Sequence, residues 1–348
     1  MTQKRLAALA GVHPSTVSLA LADDPRLPAP TRERVKRLAV EHRYAPNPAA
    51  RWLRHARTGT LGLVFWGEAH LEEDGRAHVG LPLMAAVEAA VAAGHQALVI
   101  PATRERLKAA DEPGIEALVR RAPIDGAVFF GTTHDREGLA RLVRSGFPAV
   151  HFGMRALRGA DLAYAAADYR AGSRAAVAHL ISQGHRRVAM VEDPRFVAEI
   201  GAERSAGYAD ALSAAGIAPV PELLVRAAAL DERRVDYAGV LARLREVGAT
   251  AAFCTTGILG IELLRACVAR GVRVPEELAL AAFDDEPEAA TTSPPLTAVR
   301  QPVARIAAAA VTLLLRLAAG EDVSAEERHR LLPPELIVRA SSLRSAAR

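Results

Sequence analysis

A small all-α module followed by a larger α/β core of two doubly wound subdomains is the architecture this sequence predicts. Three observations carry the prediction. The first twenty-odd residues read as two short helices broken at Gly11. From Thr60 onward, short apolar runs alternate with helical stretches rich in Ala, Leu, Glu and Arg. The charge is also divided: residues 1–57 hold eleven Lys/Arg and four acids, a net of +7, whereas the 348-residue chain is only +4 overall, leaving the remainder at −3.

Each N-terminal element has a local reason. Lys4 to Ala10 reads as a helix, Gly11 as its turn, and Pro14 as part of the first turn of a second helix with Val17, Ala20 and Leu21 on its inner face. Two short helices joined by a tight Gly-containing turn make a helix-turn-helix, whose second helix fits the DNA major groove. A localised basic module is also what phosphate neutralisation requires. The charge alone equally fits a solvated helix face. After the turn ADDPRLPAP, a third helix is expected over Thr31 to His42, with Thr31 as its N-cap. Tyr44-Ala45-Pro46-Asn47-Pro48 is a stiff breaker, and Ala49 to His55 gives one or two helical turns before the Thr58-Gly59 break. So short a helix is marginal by itself and needs DNA or a partner chain packed on it. The expected division is 1–46, 47–58 and 59–348.

Seven apolar runs read as buried strands: 61–66, 97–102, 126–131, 149–153, 187–192, 251–255 and 278–283. Helices are expected over Pro82 to Ala93, Tyr169 to Gln183, Ala202 to Ala215 and Leu259 to Arg270, with a last strand over Glu335 to Arg339. Such alternation means parallel sheets covered by helices on both faces. Ligands in such folds sit beyond the carboxyl ends of the strands, and two facing subdomains create a cleft there.

Composition excludes several classes. There is no charged start followed by an apolar stretch of signal-peptide type. The longest apolar candidate for a membrane span, Ile306 to Ala319, is too short and contains Arg316. The two cysteines, Cys254 and Cys267, do not suggest a disulfide framework, and a reducing cytoplasm is the expected compartment. No nucleophile elbow, P-loop, dinucleotide fingerprint or zinc-protease motif is present, so no enzyme and no cofactor are expected.

Six segments in order carry a resemblance: RLAALAGVHPSTVSLAL, TRERVKRLAVEHRYAPNPAARWLRHARTGTLGLV, ADYRAGSRAAVAHLISQGHRRVAMV, AERSAGYADAL, GVRVPEELALAAFDDEPEAATTSPPLTAVRQPV and LLPPELIVRASS. Over almost its full length the chain resembles the lactose-repressor (LacI/GalR) family of bacterial transcription regulators. The resemblance implies a headpiece, a hinge helix and a two-lobed core like that of periplasmic sugar-binding proteins. The first lobe would take about 59–158 plus 299–322, and the second about 159–298 plus 323–343. It further implies a homodimer on a near-palindromic double-stranded operator, regulated by a small sugar-like molecule, with no membrane partner.

The resemblance implies DNA contacts from Pro14, Ser15, Thr16, Ser18 and Leu19 at the second helix. Ser15 suits a base edge or a phosphate, and Leu19 an apolar contact with a thymine methyl; on spacing alone Leu19 also fits a core position. His13 stands where Ser commonly caps this helix. In the hinge, Asn47, Ala50, Arg51, Leu53 and Arg54 match minor-groove residues. Leu53 matches a wedge that kinks the duplex, with Arg57 as a further phosphate contact. Trp52 packs on the core or on the partner hinge.

For the effector, the resemblance implies Gly153, Arg204, Thr256, Asp284 and Gln301. An Arg fork opposite a carboxylate, with an amide between, suits a polyhydroxylated ligand; a structural Arg–Asp pair is the other reading. Three departures alter the expected pocket. Thr255-Thr256-Gly257 replaces an amide and a carboxylate, Gly153 replaces a ligand-binding Asp, and the loop after the first strand has lost its aromatic pair. That loop carries His70, Glu72, Glu73, Asp74 and His78, whose spacing matches no fixed metal template, so no metal is expected. The tail SSLRSAAR holds one large apolar residue, Leu343, and no heptad seam, which favours a dimer over a tetramer. The alternative functional reading is a cytoplasmic small-molecule-binding module with degenerate DNA specificity.

Overall fold

The computed structural model describes the chain except residues 22, 45–56, 67–75, 104–106, 108–113, 132–134, 193–197, 228–234 and 344–348. The described chain forms two compact units: residues 1–60 with 123–125, and 61–122 with 126–348.

In the first unit, α1 (Gln3–Ala10), α2 (Pro14–Leu21) and α3 (Ala29–Glu41) enclose a small core of Leu6, Ala7, Ala10, Val17, Ala20, Val35 and Ala39. The Thr2 hydroxyl caps α1 by accepting from the Arg5 amide. Gly11 closes α1 in the left-handed region (φ 61°) and turns the chain into α2. The third helix begins at Ala29, two residues before the expected cap. Thr31 lies inside it, because Pro28 and Pro30 preset helical φ at an end where the missing N–H costs nothing.

The second unit holds two six-stranded sheets. Its elements in chain order begin with β1 (Thr60–Trp66), α4 (Arg76–Ala92), β2 (Gln96–Ala102), α5 (Ile115–Arg120) and β3 (Gly126–Phe130). Next are α6 (Arg136–Arg144), β4 (Ala149–Phe152), β5 (Ala163–Ala167), α7 (Tyr169–Ser182) and β6 (Val188–Glu192). Then come α8 (Ala198–Ala214), β7 (Leu224–Arg226), α9 (Tyr237–Glu246), β8 (Ala251–Cys254) and α10 (Gly257–Ala269). The last are β9 (Ala279–Phe283), β10 (Thr297–Arg300), α11 (Val303–Ala318), α12 (Ala325–Arg328), β11 (His329–Leu332) and β12 (Glu335–Ile337).

The first sheet runs β11-β5-β4-β3-β1-β2 and the second β12-β10-β9-β8-β6-β7. Every residue of β3 and of β9 is buried, as parallel strands covered on both faces require. α11 lies across the first sheet beside α4, and α7 packs against the second. Asp135, Asp168, Asp236 and Thr256 cap the helices that follow them.

Several expectations are corrected. All seven expected strands form, and β5, β7, β10 and β11 are additional to them and to the last strand. The last strand runs antiparallel to β10 and stops at Ile337 rather than Arg339. Pro82 lies within α4 instead of opening it. Strand membership also moves the crossovers between lobes. β5 pairs with β4 and β11 with β5, so both belong to the first sheet, and all of β10 belongs to the second. The chain therefore changes sheet after Ala167, Arg300 and Leu332, not near 158, 298 and 322.

Candidate DNA-reading and effector sites

α2 brings Pro14, Ser15, Thr16, Ser18 and Leu19 together on one short helix. Ser15 is exposed, and Pro14, Thr16, Ser18 and Leu19 are half-buried. Leu19 is not among the residues packed on the core of this unit. The His13 ring does the work that Ser commonly does: its Nδ1 lies 2.8 Å from Ser15 Oγ and accepts from the Ser15 amide at 3.4 Å. Gln3 Nε2 donates to the Pro14 carbonyl (2.7 Å) and to Ser18 Oγ (2.6 Å), clamping α1 to the reading helix. Asn47, Ala50, Arg51, Leu53 and Arg54 lie outside the described residues.

In the second unit, three of the candidate effector residues converge. Arg204 on α8 donates from Nη2 to Asp284 Oδ2 (3.1 Å), and Gln301 donates from Nε2 to Asp284 Oδ1 (2.5 Å). Gln301 lies one residue past β10. The Arg204 side chain is 5% exposed, and its guanidinium carbon sits 4.2 Å from the Phe283 ring centre and 5.3 Å from that of Tyr169. This aromatic bed partly replaces lost solvation. Phe283 and Tyr169 were not singled out as site residues, although both lie inside segments that were. Burial pushes the Tyr169 phenol up to about 12, so it stays protonated as a hydrogen-bond donor.

Asp284 is held in a strained backbone conformation, at φ 73°. Gly257, at the start of α10, lies against its carbonyl: a Cβ there would come within 2.3 Å of the Asp284 oxygen. No side chain fits at 257 unless the Asp284 carbonyl moves. The Thr256 hydroxyl caps α10 by accepting from the Leu259 amide, and the residue is buried. Gly153 has φ 92°, with Tyr169 Oη 3.4 Å from where a Cβ would stand. A cavity of about 330 Å³ lies where the lobes meet, lined by Pro82, Phe152, Asp284, Asp285, Arg300 and Gln301 among others. A cleft that sets polar groups among apolar side chains orients a small polar ligand. His70, Glu72, Glu73 and Asp74, and the side chain of His78, lie outside the described residues. Among the described residues no helix is long and apolar enough to cross a membrane.

A three-helix head and a two-lobed, doubly wound core with a polar inter-lobe cleft together define a ligand-responsive DNA-binding regulator. The sequence family "Bacterial regulatory proteins, lacI family" matches residues 3–47. "Periplasmic binding proteins and sugar binding domain of LacI family" matches residues 83–244, and "Periplasmic binding protein-like domain" matches 177–342. The chain is 30% identical over 360 residues to the HTH-type transcriptional regulator CelR of Thermobifida fusca, covering 98% of each chain. It is also 30% identical to GalR of Salmonella typhimurium, covering 98% of this chain and 95% of GalR. A solved structure described as a transcriptional regulator CelR–cellobiose complex superposes with a TM-score of 0.67 at 28% identity, covering 98% of this chain and 99% of that one. The lac repressor dimer on its operator shares the fold, with a TM-score of 0.75 at 22% identity and 99% of each chain covered. The chain belongs to the LacI family of bacterial regulatory proteins. It is a DNA-binding transcription regulator with a helix-turn-helix head.

Proposed function

We propose that this protein is a homodimeric repressor acting in the cytoplasm. Residues 1–46 would read a near-palindromic duplex, residues 47–58 would fill its central minor groove, and the core, 59–348, would bind a small sugar-like molecule that alters operator affinity. The observation that carries the effector half is the convergence of Arg204, Asp284 and Gln301 at one cleft. The CelR structure is described as holding cellobiose, and the lac repressor structure as a dimer on its operator. Both descriptions agree with the proposal. No catalytic step is assigned, and the curated relatives being transcription regulators supports a non-enzymatic role.

A dimer follows from two-fold recognition, since a near-palindromic site is matched by a two-fold protein. Leu81, Met84 and Val91 on α4 are each more than half exposed, which suits a covered face. The test is selection of duplexes from a random pool by the full chain, followed by sedimentation equilibrium. An enriched palindrome bound by two chains supports the proposal. Enrichment of no sequence, or a strict monomer on DNA, overturns it in favour of a ligand-binding module without DNA specificity.

A further inference from the structure

Arg155 lies just past β4, at the carboxyl ends of the first sheet where such folds place their ligands. Its side chain is 2% exposed. Nη2 donates to the Gly131 carbonyl, just past β3, at 3.0 Å. Nη1 lies 3.9 Å from Glu199 on α8, in the other lobe, which is beyond hydrogen-bond reach. Both Nε and Nη1 lack an acceptor among the described residues. Glu199 is already held by Arg136, at 2.8 and 3.3 Å, so a single carboxylate faces two guanidinium groups. Across Tyr169, Arg204 spends Nη2 on Asp284 and also leaves Nε without an acceptor. Buried structural arginines normally have their N–H groups satisfied, because an unpaired buried charge is costly. Here two of them, both near Tyr169, are left with spare donors. Burial and the Arg155 charge hold the neighbouring His151 down at about 3, so it is neutral and adds no further positive charge.

We infer that the cleft takes an anionic effector, a polyhydroxylated carboxylate or phosphate, whose charged group is bound by Arg155 while its hydroxyls meet Arg204, Asp284 and Gln301. This rests on the effector reading above and sharpens it. Arg155 is then the residue that selects acidic over neutral sugars, because a guanidinium fork matches a carboxylate or phosphate edge and gains little from a hydroxyl. The positive excess favours acids through attraction, and an anionic oxygen supplies the acceptor that the unmet N–H groups lack.

The experiment measures binding to the full chain by calorimetry and thermal shift at fixed ionic strength. D-glucose and cellobiose are the neutral probes, D-gluconate and D-glucuronate the carboxylates, and D-glucose 6-phosphate the phosphate. At least one acidic probe should bind about tenfold or more tightly than its neutral counterpart. The Arg155→Gln variant should lose that advantage while its affinity for neutral probes stays within about twofold. Without ligand it should melt at or above the wild-type temperature, since an underpaired buried charge has been removed. The proposal is overturned if no acidic probe binds better than its neutral counterpart, or if Arg155→Gln binds acids as wild type does. A ligand-free variant melting several degrees lower would equally overturn it by making Arg155 a structural tie to Glu199. Neutral probes that bind wild type and are lost in Asp284→Ala leave the cleft reading intact when this proposal fails. Binding that survives both Arg204→Ala and Asp284→Ala removes the cleft reading itself.

Discussion

Gly257 and Asp284 touch backbone to backbone: the space a Cβ would need at 257 is occupied by the Asp284 carbonyl, 2.3 Å away, with Glu286 Cγ at 2.8 Å. The first turn of α10 thus helps hold Asp284 at its unusual φ of 73° and aims its carboxylate between Arg204 and Gln301.

Gly257→Ala is expected to displace Asp284 and weaken effector binding, at a stability cost of about 1–3 kcal/mol from overpacking. Thermal melting gives the second quantity and calorimetry with the effector the first. Wild-type affinity in a folded Gly257→Ala chain would show that the contact does not position Asp284.

Arg204→Ala and Asp284→Ala should each abolish the effector response while leaving DNA binding largely intact. Each removes one member of a buried polar set and leaves its partner unpaired, a loss of ~1–3 kcal/mol or more. Operator anisotropy with and without effector reads both effects. A response of wild-type size in either variant contradicts the assignment.

Asp285 carries a pH dependence. Burial alone would raise its carboxyl, but hydrogen bonds and charge from Arg339 (2.7 and 3.0 Å) and Arg300 outweigh burial and hold the pKa below the usual value. A carboxyl lowered on folding contributes stability above its unfolded pKa of ~3.9 and loses it as pH falls through the folded value. Arg339→Ala should therefore cost about 2 kcal/mol at pH 7, a gap that shrinks below pH ~4 as Asp285 protonates. Urea unfolding at both pH values checks this. A gap of equal size at pH 3 would assign the loss to the Arg339 bond with the Leu296 carbonyl instead.

Leu53→Ala should weaken operator binding far more than random-DNA binding, because an apolar wedge matters only where the central step is kinked. Anisotropy at two salt concentrations separates the two, since the non-specific part is set by phosphate contacts. Equal losses on both duplexes would end the wedge assignment.

The head was legible because its determinants are local. Gly11 supplies the left-handed turn, and Val17 and Ala20 recur at the spacing that faces one side of a helix. The fully buried strands were legible because AVFF and LALAAF have no polar alternation. Asp284, Arg204 and Gln301 were legible only through family resemblance.

What the sequence determined by itself is the order of helices and central strands and the concentration of positive charge at the N-terminus, since near neighbours in the chain set both. Tertiary structure decided the rest. AYAAA (163–167) and HRLL (329–332) have weak strand patterning, and they are strands because β5 pairs with β4 on one side and with β11, 165 positions further along the chain, on the other. The same long-range packing joins Arg204 to Asp284, 80 positions apart, and buries Arg155 against Gly131 with donors to spare. A pairing between distant residues leaves no local pattern, because its free energy exists only once the sheets have brought the partners together.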